Sequence, residues 1–221
     1  MIEARQLTTS DGLSLVAELA TPDHRRPPRA GVVLCHPHPL YGGTMHAGII
    51  GPLFDTLAGS GVAVLRFNFR GVEGSEGAHD HGGAERHDVL AAIDALVAEI
   101  GPTVPVVLAG WSFGGNLALS TTDPRVDGWL VFAPTLQGGD PTAVSRDPRP
   151  KLLVLAQHDE YRDPAEVVAE TASWAATEVD VIGGSGHFFL GRYDRVLAIA
   201  LDFVAGVANA GGRRRSEPPD P

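Results

Sequence analysis

Apolar positions along the chain follow two alternating rhythms. Residues 4–8 and 13–19 alternate apolar with polar and flank Ser10-Asp11-Gly12, and Asp-Gly between two such segments predicts a β-hairpin. Residues 31–35 are a continuous apolar run, which predicts a strand buried on both faces. Further strand-like runs at 62–69, 104–109, 128–133, 152–156 and 178–182 alternate with segments of helical period. Helices are expected at 45–60, where Ile49, Ile50, Leu53, Phe54 and Leu57 share a face, and at 84–100, where Val89, Ala92, Ile93, Leu96 and Val97 do. Others are expected at 113–121, at 164–175 and at 190–207. Pro164 opens the first of the last two at the position where a missing N–H costs nothing. Strands alternating with helices predict an α/β fold, a mostly parallel central sheet with helices on both faces and the antiparallel hairpin at one edge. Residues 22–28 read as a Pro/Arg-rich connection. Residues 211–221 lack apolar anchors and are expected to be a disordered tail, leaving 1–210 as a single domain.

Composition narrows the function. A chain of 221 residues with 43% hydrophobic and 20% charged positions can build one real core. Seventeen basic against 27 acidic residues give a formal net charge of −10, which argues against nucleic acid as a partner. No apolar run approaches the roughly 18 residues of a membrane span, so no membrane insertion is expected. The first residues lack a basic segment followed by an apolar one, so no secretory signal is read there. Cys35 is the one cysteine, which excludes an intramolecular disulfide and a Cys-rich zinc site. The expected compartment is the reducing cytoplasm.

The chemical signal is Gly110-Trp111-Ser112-Phe113-Gly114, between a predicted strand and a predicted helix. In a nucleophile elbow the turn is so tight that small residues must flank the serine, and the turn lifts the hydroxyl above the sheet edge. The next N–H, that of Phe113, then faces a developing oxyanion at the start of a helix. In a chain with 27 glycines the pattern alone is weak; its place at a strand-to-helix junction makes it informative. A serine needs a base, and the base needs an orienting acid. The strand at 152–156 runs into Gln157-His158-Asp159-Glu160, and Gly183-Gly184-Ser185-Gly186-His187 precedes the last helix. The assignment is therefore Ser112 as nucleophile, His187 as general base and then acid, and Asp159 as the group that orients it.

With these residues in place the chain resembles the α/β-hydrolase superfamily over about residues 8–207. It is most similar to small bacterial serine hydrolases without a large cap, of dienelactone-hydrolase-like or esterase-like type. The resemblance is carried by His36-Pro-His-Pro-Leu-Tyr-Gly-Gly-Thr-Met45, Arg66-Phe-Asn-Phe-Arg-Gly71 with Gly74-Ser-Glu-Gly77, Gly110-Trp-Ser-Phe-Gly-Gly115 and Gly186-His-Phe-Phe189. It implies an eight-stranded sheet, serine-dependent ester hydrolysis and a second oxyanion N–H on the loop at 36–43. Pro37 and Pro39 have no N–H, so that donor is His38, Leu40 or a later residue. Because Leu-Tyr-Gly resembles the oxyanion loop of dienelactone hydrolases, Leu40 is the expected one. Relatives often carry Gly-x-x-Asp at the acid, where this chain has Ala156-Gln-His-Asp159, so Glu160 and Asp163 stand as rivals.

The remaining features read structurally. His36-x-His38 at a strand end could hold a metal, but such sites need further ligands on other strand ends, and shaping the oxyanion loop is the better reading. The His-rich stretch from His79 to His87 reads as a rim or helix entry, and Cys35 as a buried strand residue. Arg66, Asn68 and Arg70 share a face and are expected to brace loops, with Arg70 a minor candidate for a substrate carboxylate. Trp111 is expected beneath the turn and Phe113 beside the pocket. The loop at 135–150 is too short for a lid domain, which predicts an open pocket. The expected function is hydrolysis of small to medium acyl esters or thioesters through an acyl-enzyme, with no cofactor and no metal. The same fold hosts peptidases, cofactor-free haloperoxidases and catalytically silent binding proteins.

Overall fold

The computed structural model describes residues 1–22 and 27–214. Part of the 22–28 connection and residues 215–221 of the expected tail lie outside them. The alternating N-terminal segments form β1 (Ile2–Thr8) and β2 (Ser14–Ala20), paired antiparallel with Leu7 opposite Leu15. Gly12 turns the corner at φ +88°, which glycine adopts without strain. Six further strands follow: β3 (Gly31–Cys35), β4 (Ala63–Phe67), β5 (Val106–Trp111), β6 (Val126–Phe132), β7 (Lys151–Ala156) and β8 (Thr177–Ile182). They make one eight-stranded sheet in the order β1-β2-β4-β3-β5-β6-β7-β8. Only β2 runs against the others. This is the mostly parallel sheet with an antiparallel edge that the sequence predicts.

The all-apolar strands are buried on both faces because helices cover both. On one face α1 (Ile50–Gly59) and α6 (Tyr193–Arg214) set Leu53, Phe54, Leu57, Val196 and Val204 against Val32, Val64 and Val107. On the other, α2 (Glu85–Ile100) and α3 (Phe113–Leu119) set Val89, Ile93, Leu96 and Leu117 against Val33, Leu65, Leu108 and Val131. Alternate residues of a strand serve the two layers, as its pleat requires. β3 and β5 are neighbours, yet the chain leaves β3 toward β4 and leaves β5 toward β6. Their following loops diverge and open a crevice at the carboxyl edge of the sheet.

Three expectations change. The helix expected from residue 45 starts at Ile50, because the Met45 N–H is taken by Asn68 Oδ1 at 2.8 Å and Gly48 sits at φ +49°. The loop at 135–150 contains a short helix, α4 (Thr142–Arg146), which no periodicity announced. The closing helix does not stop at Val207. It continues to Arg214, so residues 211–214 are helical rather than part of a disordered tail. Gly211 is buried, and a Cβ there would lie 2.5 Å from Pro105 Cγ; close packing on Pro105 supports the added turns. Between α4 and α6 lies α5 (Pro164–Thr171), capped by the Asp163 side chain, which accepts from the Ala165 N–H at 2.8 Å.

Candidate active site

β5 ends at Trp111 and α3 begins at Phe113, so Ser112 alone makes the turn. It does so at φ +54°, ψ −116°, a region that L side chains rarely enter. Its N–H donates to the Phe132 carbonyl at 2.9 Å, and its carbonyl accepts the Asn116 N–H at 2.9 Å. The flanking glycines are required by space. A Cβ on Gly110 would lie 2.4 Å from the Gly114 carbonyl group, and one on Gly114 would lie 2.3 Å from the Cys35 carbonyl oxygen. The helix thereby rests directly on the end of β3.

His187 arrives on the loop after β8. Its Nδ1 lies 2.9 and 3.0 Å from the two oxygens of Asp159, on the loop after β7, and both side chains are only 5% exposed. Asp159 Oδ1 also accepts the N–H groups of Tyr161 at 2.9 Å and Arg162 at 3.3 Å. With Nδ1 directed at a carboxylate, Nε2 is the free imidazole nitrogen. Ser112 Oγ and His187 Nε2 make no hydrogen bond to each other among the described residues. They line the same cavity, and such contacts commonly tighten only once substrate is bound. Of the rival carboxylates, Asp163 caps α5 and Glu160 accepts the His187 backbone N–H at 3.1 Å.

The loop after β3 forms a tight 3-10 turn, Pro39–Tyr41. Leu40, the expected oxyanion donor, does not reach the cavity. It is 65% exposed, and its N–H is spent on His38 Nδ1 at 3.2 Å. The Tyr41 and Gly43 N–H groups both donate to the His38 carbonyl, and that of Gly42 to Pro39. His38 lines the cavity, and its own N–H is unspent among the described residues, as is that of Phe113 at the start of α3. Pro37 and Pro39 make His38 the first N–H of the loop, one of the donors that the sequence left open.

His36 is a strut. Its Nε2 accepts the Phe69 N–H at 3.0 Å, so its Nδ1 carries the proton and donates to the Pro37 carbonyl at 2.6 Å. Burial pushes its pKa down to about 4, so the ring is neutral. His38 and His79 pack on Phe113 and on each other, and His81 packs on His79, with ring centroids about 5 Å apart. Burial, and then the neighbouring His79 and His81, lower the His38 pKa. His79 Nδ1 lies 2.7 Å from Glu85 Oε1, off the line of a hydrogen bond, and its Nε2 is buried without a partner among the described residues. No group of His, Cys, Asp and Glu among the described residues has the arrangement of a metal site. Burial holds the Cys35 thiol neutral. The Arg70 guanidinium is taken by Asp88 and Asp11 and does not line the cavity.

Ser112 and His187 open into a cavity of about 660 Å³. Its lining differs between the two faces of the sheet. Toward α1 and α6 stand Ala47, Gly48, Trp111, Phe188, Leu190 and Tyr193; toward α2 and α3 stand His38, His81, Asn116, Thr135 and Gln137 beside Phe113. No Asp or Glu among the described residues lines it. Trp111 contributes to the wall while it is buried in the apolar layer toward α1 and α6, and its Nε1 donates to the His187 carbonyl at 3.1 Å. Asn116, one helical turn past Ser112, ties down the loop after β6. It donates to Thr135 Oγ1 and the Gln137 carbonyl and accepts the Leu136 N–H. A smaller polar groove of about 320 Å³ lies beyond Tyr161 and Gln137, and Ser112 does not line it.

Comparison with known proteins gives the family and the fold. The family model described as serine aminopeptidase, S33 matches residues 26–183. An uncharacterized protein of Rickettsia prowazekii is 30% identical over 174 residues, 73% of each chain. An α/β serine hydrolase homologue from Coxiella burnetii superposes with a TM-score of 0.81 at 27% identity, over 91% of this chain and 97% of that one. An α/β serine hydrolase without lid from Xanthomonas campestris does so with a TM-score of 0.76 at 27% identity, over 100% of this chain and 97% of that one.

Proposed function

This chain belongs to the serine aminopeptidase S33 family and has the α/β-hydrolase fold, and from that premise we propose that it hydrolyses small to medium acyl esters or thioesters through an acyl-enzyme on Ser112. The observation behind the proposal is the meeting, at one cavity, of an elbow serine, an imidazole paired with a carboxylate, and two unspent backbone N–H groups. Ser112 Oγ attacks the acyl carbonyl carbon while His187 Nε2 takes its proton. The carbonyl oxygen becomes an oxyanion held by the N–H groups of Phe113 and His38. As the intermediate collapses, the bond to the leaving oxygen or sulfur breaks and His187 returns its proton to that atom. His187 then deprotonates a water, which attacks the acyl carbon; the bond to Ser112 Oγ breaks, His187 returns the proton to that oxygen, and the carboxylic acid product leaves. Asp159 holds the imidazole with Nδ1 protonated throughout.

Ester is favoured over aminopeptide for an electrostatic reason. An aminopeptidase must hold the ammonium group of its substrate, and among the described residues no carboxylate lines this cavity to do so.

The test is fluorophosphonate labelling read by intact mass and peptide mapping, beside turnover of p-nitrophenyl esters, acyl thioesters and aminoacyl-p-nitroanilides. A single adduct on Ser112, absent from Ser112→Ala and His187→Ala, is expected, with ester turnover well above anilide turnover. Loss of Ser112 or His187 should cost on the order of 10⁶ in kcat, and Asp159→Asn about 10⁴. A Ser112→Ala loss below tenfold overturns the mechanism. Well-folded protein that takes no adduct would instead be a binding protein on a hydrolase fold.

A further inference from the structure

The backbone of His187 is gripped at both ends. Its carbonyl accepts the Trp111 indole N–H at 3.1 Å in a buried bond. Its N–H donates to Glu160 Oε2 at 3.1 Å. Trp111 is the residue immediately before Ser112, and Glu160 is the residue immediately after Asp159. The sequence neighbour of the nucleophile and the sequence neighbour of the acid thus each hold one end of the base.

The loop that carries His187 needs such anchorage. Gly183, Gly184 and Gly186 precede the histidine, with Gly184 at φ +63°, and Phe189 follows at φ +52°. Upstream the loop is pinned where Gln157 Oε1 accepts the Gly184 N–H at 2.7 Å and the His158 N–H donates to the Ser185 carbonyl at 2.8 Å. From Gly186 onward the bonds from Trp111 and Glu160 take over. A side-chain bond from Asp159 fixes the rotation of the imidazole but not the position of the Cα that carries it. Proton transfer requires Nε2 within about 3.2 Å of Ser112 Oγ, and misplacement by roughly 1 Å can cost 10²-fold.

We propose that Trp111 and Glu160 are positioning residues, which set the His187 base against Ser112 and Asp159 through the histidine's own backbone. This rests on the serine-hydrolase reading above. It also gives Glu160 a task apart from the orienting carboxylate, for which it was a rival in the sequence. Glu160 does not line the catalytic cavity, so its removal should leave substrate binding alone.

The experiment compares wild type, Glu160→Ala, Glu160→Gln and Trp111→Phe for steady-state turnover of p-nitrophenyl acetate and for the rate of fluorophosphonate labelling. Folding of each is checked by near-UV circular dichroism. Glu160→Ala should lower kcat and labelling about tenfold with KM within twofold, while Glu160→Gln, which keeps an acceptor oxygen, should return to within about threefold of wild type. Trp111→Phe keeps an aromatic ring and loses the donor, and should lower kcat by about tenfold. If Trp111→Phe does not fold, the Glu160 pair decides. The clamp is overturned if Glu160→Ala stays within threefold of wild type, if the glutamine is no better than the alanine, or if the loss falls in KM. A wild type that neither labels nor turns over ester overturns the hydrolase reading and the clamp with it. A wild type that labels while Glu160→Ala labels equally fast overturns the clamp alone.

Discussion

Ser112 stands where the backbone least tolerates a side chain. At φ +54°, ψ −116° a non-glycine residue bears about 1–3 kcal/mol of strain, which tight packing of Gly110 and Gly114 imposes. Ser112→Gly relieves it, less the entropy that glycine gains in the unfolded chain. Ser112→Gly should therefore be about 1 kcal/mol more stable than Ser112→Ala in urea unfolding, with neither variant active. Equal midpoints would mean that the turn carries no strain. His36 makes a pH prediction. Its folded pKa of about 4 lies below the ordinary 6.5, so between these values the unfolded chain binds more protons than the folded one. Stability then rises with pH through that window and is lost as pH falls from about 6.5 toward 4, by about 3 kcal/mol in all. Urea unfolding from pH 7 to pH 4.5 should show this slope, and His36→Gln should flatten it. Ser112 and His187 were legible in the sequence because each belongs to a short backbone motif. The acid was less so, because Asp159, Glu160 and Asp163 crowd one loop, and only the fold separates a carboxylate facing an imidazole from one facing an N–H and one capping a helix. The Leu40 N–H turns back within a 3-10 turn that no periodicity reveals.

Elements are joined beneath the site by one buried cation. Arg70, just past β4, donates to Asp88 on α2 and to Asp11 in the turn between β1 and β2. The Arg70 side chain is 5% exposed and that of Asp88 fully buried. Asp88→Ala should cost about 3 kcal/mol by leaving a buried guanidinium half-paired, whereas Arg70→Met with Asp88→Leu should cost much less. Comparable losses in the two would show that packing, not charge, joins these elements. Sequence pattern located every strand, because runs such as Val32–Leu34 are apolar on both faces. It misplaced the ends that tertiary contacts decide. β5 runs two residues further than expected, since Gly110 and Trp111 pair with Val131 and Phe132. α6 passes through glycines that discourage helix, carried by packing on Pro105.

Across the whole molecule, the parallel sheet gathers the ends of β3, β5, β6, β7 and β8 at one edge, so residues far apart in the chain meet around Ser112. That convergence could be read from the alternation of strands and helices. The unequal faces of the cavity could not, because they depend on where Gly48, Gln137 and Tyr193 come to rest after the loops fold. The mouth has consequences for kinetics. Tyr41, Phe188 and Leu190 frame it and remain exposed, and no lid domain covers it among the described residues. A cycle without a closing step predicts that kcat for slow esters does not change with solvent viscosity; a slope near one in relative viscosity would reveal a gating motion. An ungated site admits every ester that diffuses to it and sorts them only at acylation. Misfit esters should then occupy the site without reacting, so that in a mixture each poor substrate is a competitive inhibitor with a Ki equal to its own dissociation constant.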